Sequence, residues 1–552
     1  MFERTVDYPA YRHDERISPL DEASKKALAE TIELIPVLRE HAAQTEREGR
    51  LPQHIIERMG EIGIWFMGGP VETGGSQFDY PTQFRIIEEL ARGDGTAGWC
   101  VLTHLAGAAL TMRLDLEAAQ GIWKSPVTIV AGSPMPAGRA MRVDGGYRIL
   151  EGKWMWATNA RHATHYLGGF QIVQDENDPG MPFPPPEGAP LIPQGEPPMV
   201  AYFDRKDVQF VDGSWDVIGL RGTSSGSYEV KELFLPENRA FSMMSMMAEP
   251  PLHVRGPIGV GGHAAVHCGI ARHMLEEFLK LAKAKRPTGF GVRDLLADMP
   301  AIQHELGLAE AKLRGARAHY YRVVDDCWAR WKDGEEISTS DYLESEMANV
   351  NLARVAREVA ETLNAWAGGS VLKTGDPMER GIRDMLTAGA HMAIQRTNWA
   401  TFGKALFGRP VMMSNAFEAA SISPRKKTED ELSVLGREGG TALANGSAVP
   451  TEADLAIATN FVQAMINKDI DAAQALMHDD IVMTSPMGTE NGPQACGDML
   501  RNMVSMGSTP MNLPELVGGE IVAINEAPIG NIAILFGVND NKIASVGMRP
   551  AA

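Results

Sequence analysis

The sequence predicts a multidomain protein in which an all-helical domain, an antiparallel β-barrel domain, a four-helix bundle and a small α+β domain follow one another along the chain. Apolar residues recur near every 3.6 positions between residues 20 and 125 and again between 258 and 407, which is typical of amphipathic helices. Between these two regions, short β-branched and aromatic segments alternate with Gly, Asp and Pro, as they do in antiparallel sheets. The predicted domains are 1–126, 127–245, 246–408 and 451–552, with a linker at 409–450.

The composition limits the partners and the compartment of the chain. Its 52 Lys and Arg against 71 Asp and Glu give a net charge of −19, which disfavours binding to nucleic acids or to anionic membranes. No apolar run reaches the roughly 18–20 residues that span a bilayer, and the charged start of the chain lacks the apolar stretch of a signal peptide. Four well-separated cysteines without a C-x-x-C pair predict neither a disulfide framework nor a thiolate zinc site. We therefore expect a cytoplasmic protein.

Particular residues predict how the first two domains are divided into elements. Residues 21–49 carry a helical pattern that Pro36 should kink or interrupt. Gly93 and Gly95 should mark the break between two later helices. In the β-domain, the Pro-rich segment 178–198 is predicted to be an extended excursion between strands.

The second half of the chain is predicted to hold a bundle and then a separate domain. Four periodic segments follow residue 258, and the fourth of them, residues 380–408, completes the count for a four-helix bundle. The last 102 residues carry 12 Asp and Glu against 4 Lys and Arg, and a helix precedes their strand-like runs, which indicates an α+β domain. Three polar residues in this domain are predicted to form a helix end and a loop: His478, Asp479 and Asp480.

Common catalytic motifs are absent or lie in the wrong context. The sequence has neither a G-x-x-x-x-G-K-[ST] phosphate loop nor a G-x-G-x-x-G that follows a strand. Residues 222–226 match G-x-S-x-G, but a strand-like run follows them where a nucleophile elbow needs a helix. His162 and His165 lack a third ligand, so no metal site is expected.

Three segments, in order, resemble the acyl-CoA dehydrogenase fold over residues 20–408. Residues 153–159, Lys-Trp-Met-Trp-Ala-Thr-Asn, resemble the K-x-W-I-T-N strand of that family. Residues 219–225, Gly-Leu-Arg-Gly-Thr-Ser-Ser, resemble the hairpin that closes its β-domain. Residues 367–370, Ala-Gly-Gly-Ser, followed by Arg383 and Asp384, resemble the glycine turn and R-D pair of its last helices.

The resemblance implies a flavin site. It implies that Trp156 packs on the flavin ring and that the Thr158 hydroxyl and the adjoining backbone hydrogen-bond the ring's N5 and O4 edge. An aromatic wall, a hydroxyl and close backbone approach are what such a ring requires. The same resemblance places Ser133 where the flavin pocket opens. It also implies that Gly368, Gly369 and Ser370 meet the flavin's tail from a neighbouring subunit, which makes the protein a homotetramer or a dimer.

One departure from the dehydrogenase pattern favours oxygenation. Many dehydrogenases of this fold have a Glu about eight residues after the R-D pair, whereas residues 385–392 contain no acid and position 391 is a histidine. This pattern resembles the flavin monooxygenases that share the fold. His391 is therefore the predicted catalytic residue, because an imidazole can take or hold a proton near neutral pH. Glu249 stays open as the base of a dehydrogenase, and His104 is a second candidate for the oxygenase.

The oxygenase resemblance implies reduced FMN or FAD from a separate NAD(P)H-flavin reductase, with O₂ as cosubstrate and a C4a-hydroperoxyflavin as the oxidant. Trp99 and Ser225 are the candidate substrate-binding residues, and the substrate is either a small aromatic or polyketide-like compound or one oxidised at a heteroatom. Residues 451–552 resemble a SnoaL-like, NTF2-like cone domain. Two alternatives stay open, namely an acyl-CoA dehydrogenase or oxidase with tightly bound FAD, and a non-catalytic flavin-fold scaffold with a binding tail.

Overall fold

The computed structural model describes two compact units. It describes residues 11–13, 16, 19–69, 71–180, 197–242, 262–287, 293–333, 335, 338–408, 451–485, 488–505, 513–517, 520–525, 532–539 and 541–550. The larger unit contains the described residues up to 180 together with 198–408, and the smaller one contains those from 451 on. The predicted linker at 409–450, Glu249 and most of the Pro-rich segment lie outside the described residues.

The larger unit begins with helices α1–α5, which are Glu22–Glu48, Gln53–Ile62, Tyr80–Gly93, Gly95–Ala109 and Leu116–Ile122. Helix α1 continues through Pro36, so the proline does not interrupt it. The predicted break between α3 and α4 is confirmed. At the break, Asp94 has an extended backbone and its side chain accepts a hydrogen bond from the Thr96 amide, which caps α4.

A seven-stranded sheet follows, formed by β1–β7 at Val130–Val143, Gly146–Trp154, His165–Ile172, Met199–Asp204, Gln209–Phe210, Tyr228–Pro236 and Ala240–Ser242. Its strand order is β5-β6-β2-β1-β3-β4-β7. The prediction of an antiparallel domain is wrong for one pair of strands, because β1 and β3 pair in parallel, whereas the other described pairs of this sheet are antiparallel. Residues 155–164 carry the chain from β2 across to the far side of β1, so β3 runs in the same direction as β1. β6 directly follows the G-x-S-x-G segment, as expected for a chain without a nucleophile elbow.

Helices α6–α10 complete the larger unit at Gly262–Ala284, Pro300–Lys332, Thr339–Ala367, Pro377–Ala388 and Asn398–Leu406. The fourth bundle segment is therefore two helices, which corrects the prediction of one helix over 380–408. Gly389 lies at the break, where glycine lowers helix propensity, and a 3₁₀ turn at Met392–Ile394 separates α9 from α10. This break removes His391 from a helix face and places it at the N-cap of the turn.

A buried ionic cluster joins α3 to α6 and α7. The Glu88 carboxylate accepts hydrogen bonds from the guanidinium groups of Arg272 and Arg317 and from the Tyr321 hydroxyl. Although burial acts to raise the pKa of Glu88, Arg317 and Arg272 lower it to about 2. Such a buried carboxylate is stable only while its partners remain, so the cluster fixes how these three helices pack.

The smaller unit is a helix-covered sheet with its own apolar core. Helices α11–α13 span Glu452–Ile466, Ile470–Ala475 and Pro493–Ser505, and strands β8–β13 span Met477–Ser485, Gly488–Asn491, Glu515–Val517, Glu520–Asn525, Ile532–Asn539 and Lys542–Pro550. The strand order is β10-β11-β12-β13-β8-β9. The predicted opening helix and final strands are confirmed, but His478, Asp479 and Asp480 lie on β8 rather than at a helix end. In the described part of the chain, no helix is both long and apolar enough to cross a membrane.

Candidate active site

Trp156 is an exposed aromatic residue with an unusual backbone conformation. It follows β2, has φ +69° and is 64% exposed, whereas Trp154, two residues earlier, is fully buried in the core of the sheet. A left-handed conformation costs a bulky residue on the order of 1–3 kcal/mol and is tolerated where the surroundings enforce it, often at binding sites. The Trp156 and Trp215 rings meet edge to face, with ring centroids 5.8 Å apart and planes at 84°. Because Trp156 is mostly exposed, its ring has surface on which a planar ligand can stack.

Thr158 belongs to a chain of hydrogen-bonded hydroxyl groups. Its Oγ1 lies 2.7 Å from Ser225 Oγ, which in turn lies 2.7 Å from Thr223 Oγ1. Thr223 Oγ1 donates to the carbonyl oxygen of Leu220 at 2.8 Å. All three hydroxyl-bearing residues are buried. The predicted substrate residue Ser225 is thus a direct partner of the predicted flavin residue Thr158.

The two family-like motifs around Leu220 and Asp384 contact each other. The Leu220 amide donates to Asp384 Oδ1 at 2.6 Å, and Leu220 has φ +51°. A Cβ on Gly219 would lie 2.1 Å from the carbonyl oxygen of Arg383, so only glycine fits there. The Arg383 guanidinium donates to the carbonyl oxygen of Ile218 at 2.6 Å. Helix α9 therefore holds the loop that supplies the hydroxyl chain.

Asp384 is fully buried beside another acid. Burial, with a further contribution from Asp94, raises the pKa of Asp384 to about 7, although Arg380 and the Leu220 amide act in the opposite direction. Burial also raises the pKa of Asp94. A carboxyl group that titrates near neutrality at the joint between α9 and the β-domain makes this joint sensitive to pH.

His391 lies in a cluster of aromatic rings. Its ring stacks on His263 with centroids 4.2 Å apart and planes at 24°, and both imidazoles meet Trp99 edge-on at 5.6 Å. Burial lowers the pKa of His391 to about 4, so the ring is neutral at physiological pH. Its Nδ1 accepts a hydrogen bond from the Ala393 amide at 3.3 Å. The neutral ring therefore carries its proton on Nε2 and presents an N–H donor.

The second candidate histidine has a different environment. His104 is fully buried, its Nε2 donates to the carbonyl oxygen of Trp65 at 2.8 Å, and its Nδ1 accepts from the Val130 amide at 3.0 Å. Burial lowers its pKa to about 4. Because both ring nitrogens are already bonded to backbone, His104 joins α4 to the sheet. The structure does not support the catalytic role predicted for it.

The remaining predicted residues are placed as follows. Ser133 is half-buried on β1, where its amide donates to the Tyr228 hydroxyl oxygen at 3.2 Å and its Oγ accepts from the Met135 amide at 3.3 Å. Gly368, Gly369 and Ser370 form an exposed 3₁₀ turn after α8. Gly368 has φ +59°, which glycine adopts without strain.

The sequence alone did not predict that Trp215, Thr223 and His263 contact the candidate site residues. Trp215 precedes the loop that Leu220 organises, and its Nε1 donates to the Leu220 carbonyl oxygen at 3.1 Å. Thr223 lies within the motif at residues 219–225, and its hydroxyl group is the one feature of the sequence that could have suggested a polar role. His263 is in the first turn of α6, far in sequence from the residue on which it stacks.

Two family models match the larger unit. The model for the acyl-CoA dehydrogenase N-terminal domain matches residues 29–115, and the one for the C-terminal domain matches residues 261–396. The chain is 25% identical over 399 residues to an indole-3-acetate monooxygenase of Acinetobacter baumannii, covering 71% of this chain and 97% of that protein. It is 25% identical over 394 residues to the oxygenase subunit HsaA of a flavin-dependent monooxygenase from Rhodococcus jostii, covering 68% and 97%.

Solved structures share the same fold. XiaF from a Streptomyces species, in complex with FADH2 and glycerol, is 19% identical with a TM-score of 0.61, over 71% of this chain and 97% of that chain. TdsC from a Paenibacillus species, in complex with FMN and indole, is 20% identical with a TM-score of 0.59, over 71% and 99%. The larger unit thus has the acyl-CoA dehydrogenase fold.

Proposed function

We propose that the chain is a flavin-dependent monooxygenase with the acyl-CoA dehydrogenase fold and that it is the oxygenase component of a two-component system. Its substrate is a small aromatic or polyketide-like compound, or one oxidised at a heteroatom. The observation that carries this proposal is the half-buried, neutral His391, whose ring contacts both His263 and Trp99. A dehydrogenase of this fold needs a carboxylate that abstracts a proton, and no acid occupies residues 385–392.

The residues of the β-domain suit a flavin ring. The exposed face of Trp156 offers an aromatic wall, and Thr158 offers a hydroxyl two residues later. The structure modifies one expectation, because the amides of Ala157 and Asn159 already donate to the carbonyl oxygens of Gly226 and Thr223. The Thr158 hydroxyl is then the polar contact that remains for the N5 edge. When bound, reduced FMN or FAD and O₂ would supply the oxidising power, through a C4a-hydroperoxyflavin.

His391 acts in this proposal as a hydrogen-bond donor. Its pKa of about 4 keeps the imidazole neutral at physiological pH, and the Ala393 amide keeps its proton on Nε2. The Nε2–H group can donate a hydrogen bond to a reacting oxygen atom. The imidazole can take up a second proton on Nδ1 only if the hydrogen bond from the Ala393 amide to Nδ1 breaks. Trp99 packs against the same ring, which excludes water from one side of the site and leaves an apolar, aromatic surface for a substrate.

The proposal includes partners that the chain itself does not contain. No nicotinamide-binding motif is present in the sequence, so a separate NAD(P)H-flavin reductase delivers the reduced flavin. The exposed residues 368–370 are available to a second subunit, in line with a homotetramer or dimer. The smaller unit, with helices packed on a six-stranded sheet, is an NTF2-like domain that binds a small ligand or a partner.

Stopped-flow absorbance tests the reaction class. The full chain is mixed anaerobically with reduced FMN or FAD and then with oxygen, and a long-lived absorbance of a C4a-hydroperoxyflavin is the expected result. A protein purified with tightly bound FAD that acyl-CoA reduces would favour the dehydrogenase alternative. Failure to bind either redox state of either flavin would favour the non-catalytic scaffold.

A further inference from the structure

The hydroxyl chain Thr158–Ser225–Thr223 has a fixed direction. The carbonyl oxygen of Leu220 can only accept, so Thr223 Oγ1 commits its one proton to that bond. The 2.7 Å bond between Thr223 and Ser225 must then use the Ser225 proton. By the same reasoning, the 2.7 Å bond between Ser225 and Thr158 uses the Thr158 proton. Towards any further group, Thr158 Oγ1 can therefore act only as an acceptor.

The surroundings of the chain keep this direction. Thr158, Thr223 and Ser225 are each less than 5% exposed, so water does not compete freely for their protons. The backbone of Leu220 is also held through its amide group, which donates a hydrogen bond to Asp384 Oδ1 at 2.6 Å. Reversing all three hydroxyl groups would break the bond from Thr223 to the Leu220 carbonyl oxygen. Loss of one such hydrogen bond corresponds to roughly 2- to 10-fold in an equilibrium constant.

The two redox states of flavin differ in what they offer at N5. Reduced flavin carries a hydrogen there and can donate, whereas N5 of oxidised flavin has only a lone pair and must accept. A hydroxyl group that can only accept a hydrogen bond complements the N5–H group of reduced flavin, and its oxygen lone pairs repel the N5 lone pair of oxidised flavin. We propose that Ser225 and Thr223 are specificity-determining residues that make Thr158 select reduced flavin over oxidised flavin. This inference rests on the proposed flavin site at Trp156 and Thr158.

The matching test measures affinity rather than turnover. Dissociation constants of the full chain for reduced and oxidised FMN and FAD are determined anaerobically by quenching of tryptophan fluorescence, for wild type and for Ser225→Ala and Thr223→Val. Ser225→Ala removes the group that accepts the Thr158 proton, and Thr223→Val allows Ser225 to donate to Thr158 instead. In both variants the Thr158 proton can therefore be donated to oxidised N5. We expect oxidised flavin to bind roughly 2- to 10-fold more tightly to both variants, so that the preference for reduced flavin falls.

Two further variants separate the chain's direction from other effects. Thr223→Ser keeps a donor to the Leu220 carbonyl oxygen and should keep the wild-type preference. Thr158→Val removes the hydroxyl group and should weaken the binding of reduced flavin but not that of oxidised flavin. The inference would be overturned if Ser225→Ala and Thr223→Val both leave the ratio of the affinities for reduced and oxidised flavin unchanged. Two substitutions at different residues are used because they are not both expected to unfold the loop.

Failure of the inference can be distinguished from failure of the proposed function. Trp156→Ala should weaken the binding of reduced and of oxidised flavin alike, because the proposed aromatic wall contacts the ring in both redox states. If Trp156→Ala has that effect and the hydroxyl variants leave the ratio unchanged, the flavin site stands and the selection by the hydroxyl chain is wrong. If wild type binds neither redox state, or if Trp156→Ala leaves both affinities unchanged, the proposed site itself is wrong.

Discussion

At the scale of single residues, His391 is positioned mainly by ring contacts. It lies between two helices rather than within one, and its hydrogen bond from the Ala393 amide is long at 3.3 Å. The stack on His263 and the edge contact with Trp99 therefore determine how the imidazole is oriented. If the Nε2–H group of His391 donates a hydrogen bond to the reacting oxygen atom, the orientation of the ring determines whether that hydrogen bond can form.

Replacement of His391 should uncouple oxygen consumption from product formation. In His391→Ala, reduced flavin should bind with nearly wild-type affinity, but the proton donor at the reacting oxygen is lost. Such losses typically cost about 10²–10⁴-fold in rate. Product formed per reduced flavin consumed is the quantity to measure, with hydrogen peroxide as the expected by-product. A variant that couples as well as wild type between pH 6 and 9 would show that His391 only packs.

Replacement of His263 should change the protonation of His391. His263→Ala opens one face of the His391 ring to water, which should raise the His391 pKa from about 4 towards 6.5, whereas His263→Phe keeps that face covered. Deuterium exchange at the C2 position of each histidine, followed by mass spectrometry, reports these pKa values individually. The same His391 pKa in wild type and both variants would exclude this role of the stack.

His267 and Arg357 interact electrostatically within the His391 cluster, and both remain in these variants. His267 on α6 donates its Nδ1 proton to the His263 carbonyl oxygen at 2.8 Å, a bond that does not need the His263 side chain. Arg357 on α8 forms an ion pair with Glu361 at 2.7 Å. Because neither group differs between His263→Ala and His263→Phe, a difference between those two variants reports the stacking ring itself.

The site residues that the sequence predicts are those that carry a local signal. His391 is predicted because a histidine stands where a related pattern has an acid, and the exposed Trp156 because it lies within a recognisable strand motif. Trp215 and His263 could not be identified, since each acts through a ring that is distant in sequence. The sequence predicted His104 by the same kind of resemblance as His391. It could not predict the two backbone hydrogen bonds of His104, because their partners, Trp65 and Val130, are far from it in sequence.

At the scale of elements, helix α9 is the part that joins the bundle to the β-domain. Its Asp384 and Arg383 both bind backbone groups of the loop before Thr223. The sequence predicted each of the two motifs but not that they touch, because a motif does not specify its spatial neighbour. It also predicted one helix where the structure has α9 and α10, since apolar spacing continues across Gly389 although the backbone does not.

Asp384 should make the unfolding free energy depend on pH. Its pKa is about 7 in the folded chain and near 3.9 when unfolded, so between these values the folded state holds one proton more than the unfolded state. Stability then falls as pH rises from about 4 to 7, by up to about 4 kcal/mol. In Asp384→Asn, where an amide oxygen can still accept the Leu220 amide, this dependence should disappear.

Urea unfolding of the full chain at pH 5 and pH 8 measures this dependence. The stability of Asp384→Asn relative to wild type should be higher at pH 8 than at pH 5. Asp376→Asn is the matched control, because Asp376 caps the same helix and Asn caps equally well. An equal difference between Asp384→Asn and wild type at both pH values would contradict the buried, protonated carboxyl group.

At the scale of the whole molecule, the order of the structural classes was predictable and part of the strand pairing was not. The change from a 3.6-residue to a 2-residue apolar period and back is local, so helices and strands were read from the sequence over long stretches. The parallel pair β1–β3 depends on which side of β1 the chain returns to after β2. That choice is set by residues 155–164, the same loop that carries Trp156 and Thr158, and no periodicity within a strand encodes it.

Removal of the smaller unit should leave a folded, flavin-binding protein. Each unit has its own apolar core: that of the larger one is built on α1, α3, α4 and α6–α8, and that of the smaller one includes Phe461, Met477 and Phe536. A chain ending at residue 440 therefore keeps its bundle core, its sheet and every residue of the proposed site. We expect it to be soluble and to bind reduced flavin with an affinity within a few-fold of the full chain. The complementary fragment 445–552 should fold separately, as urea unfolding followed by circular dichroism can show. If the shortened chain precipitates or no longer binds reduced flavin, the smaller unit is part of the oxygenase itself rather than a separate domain.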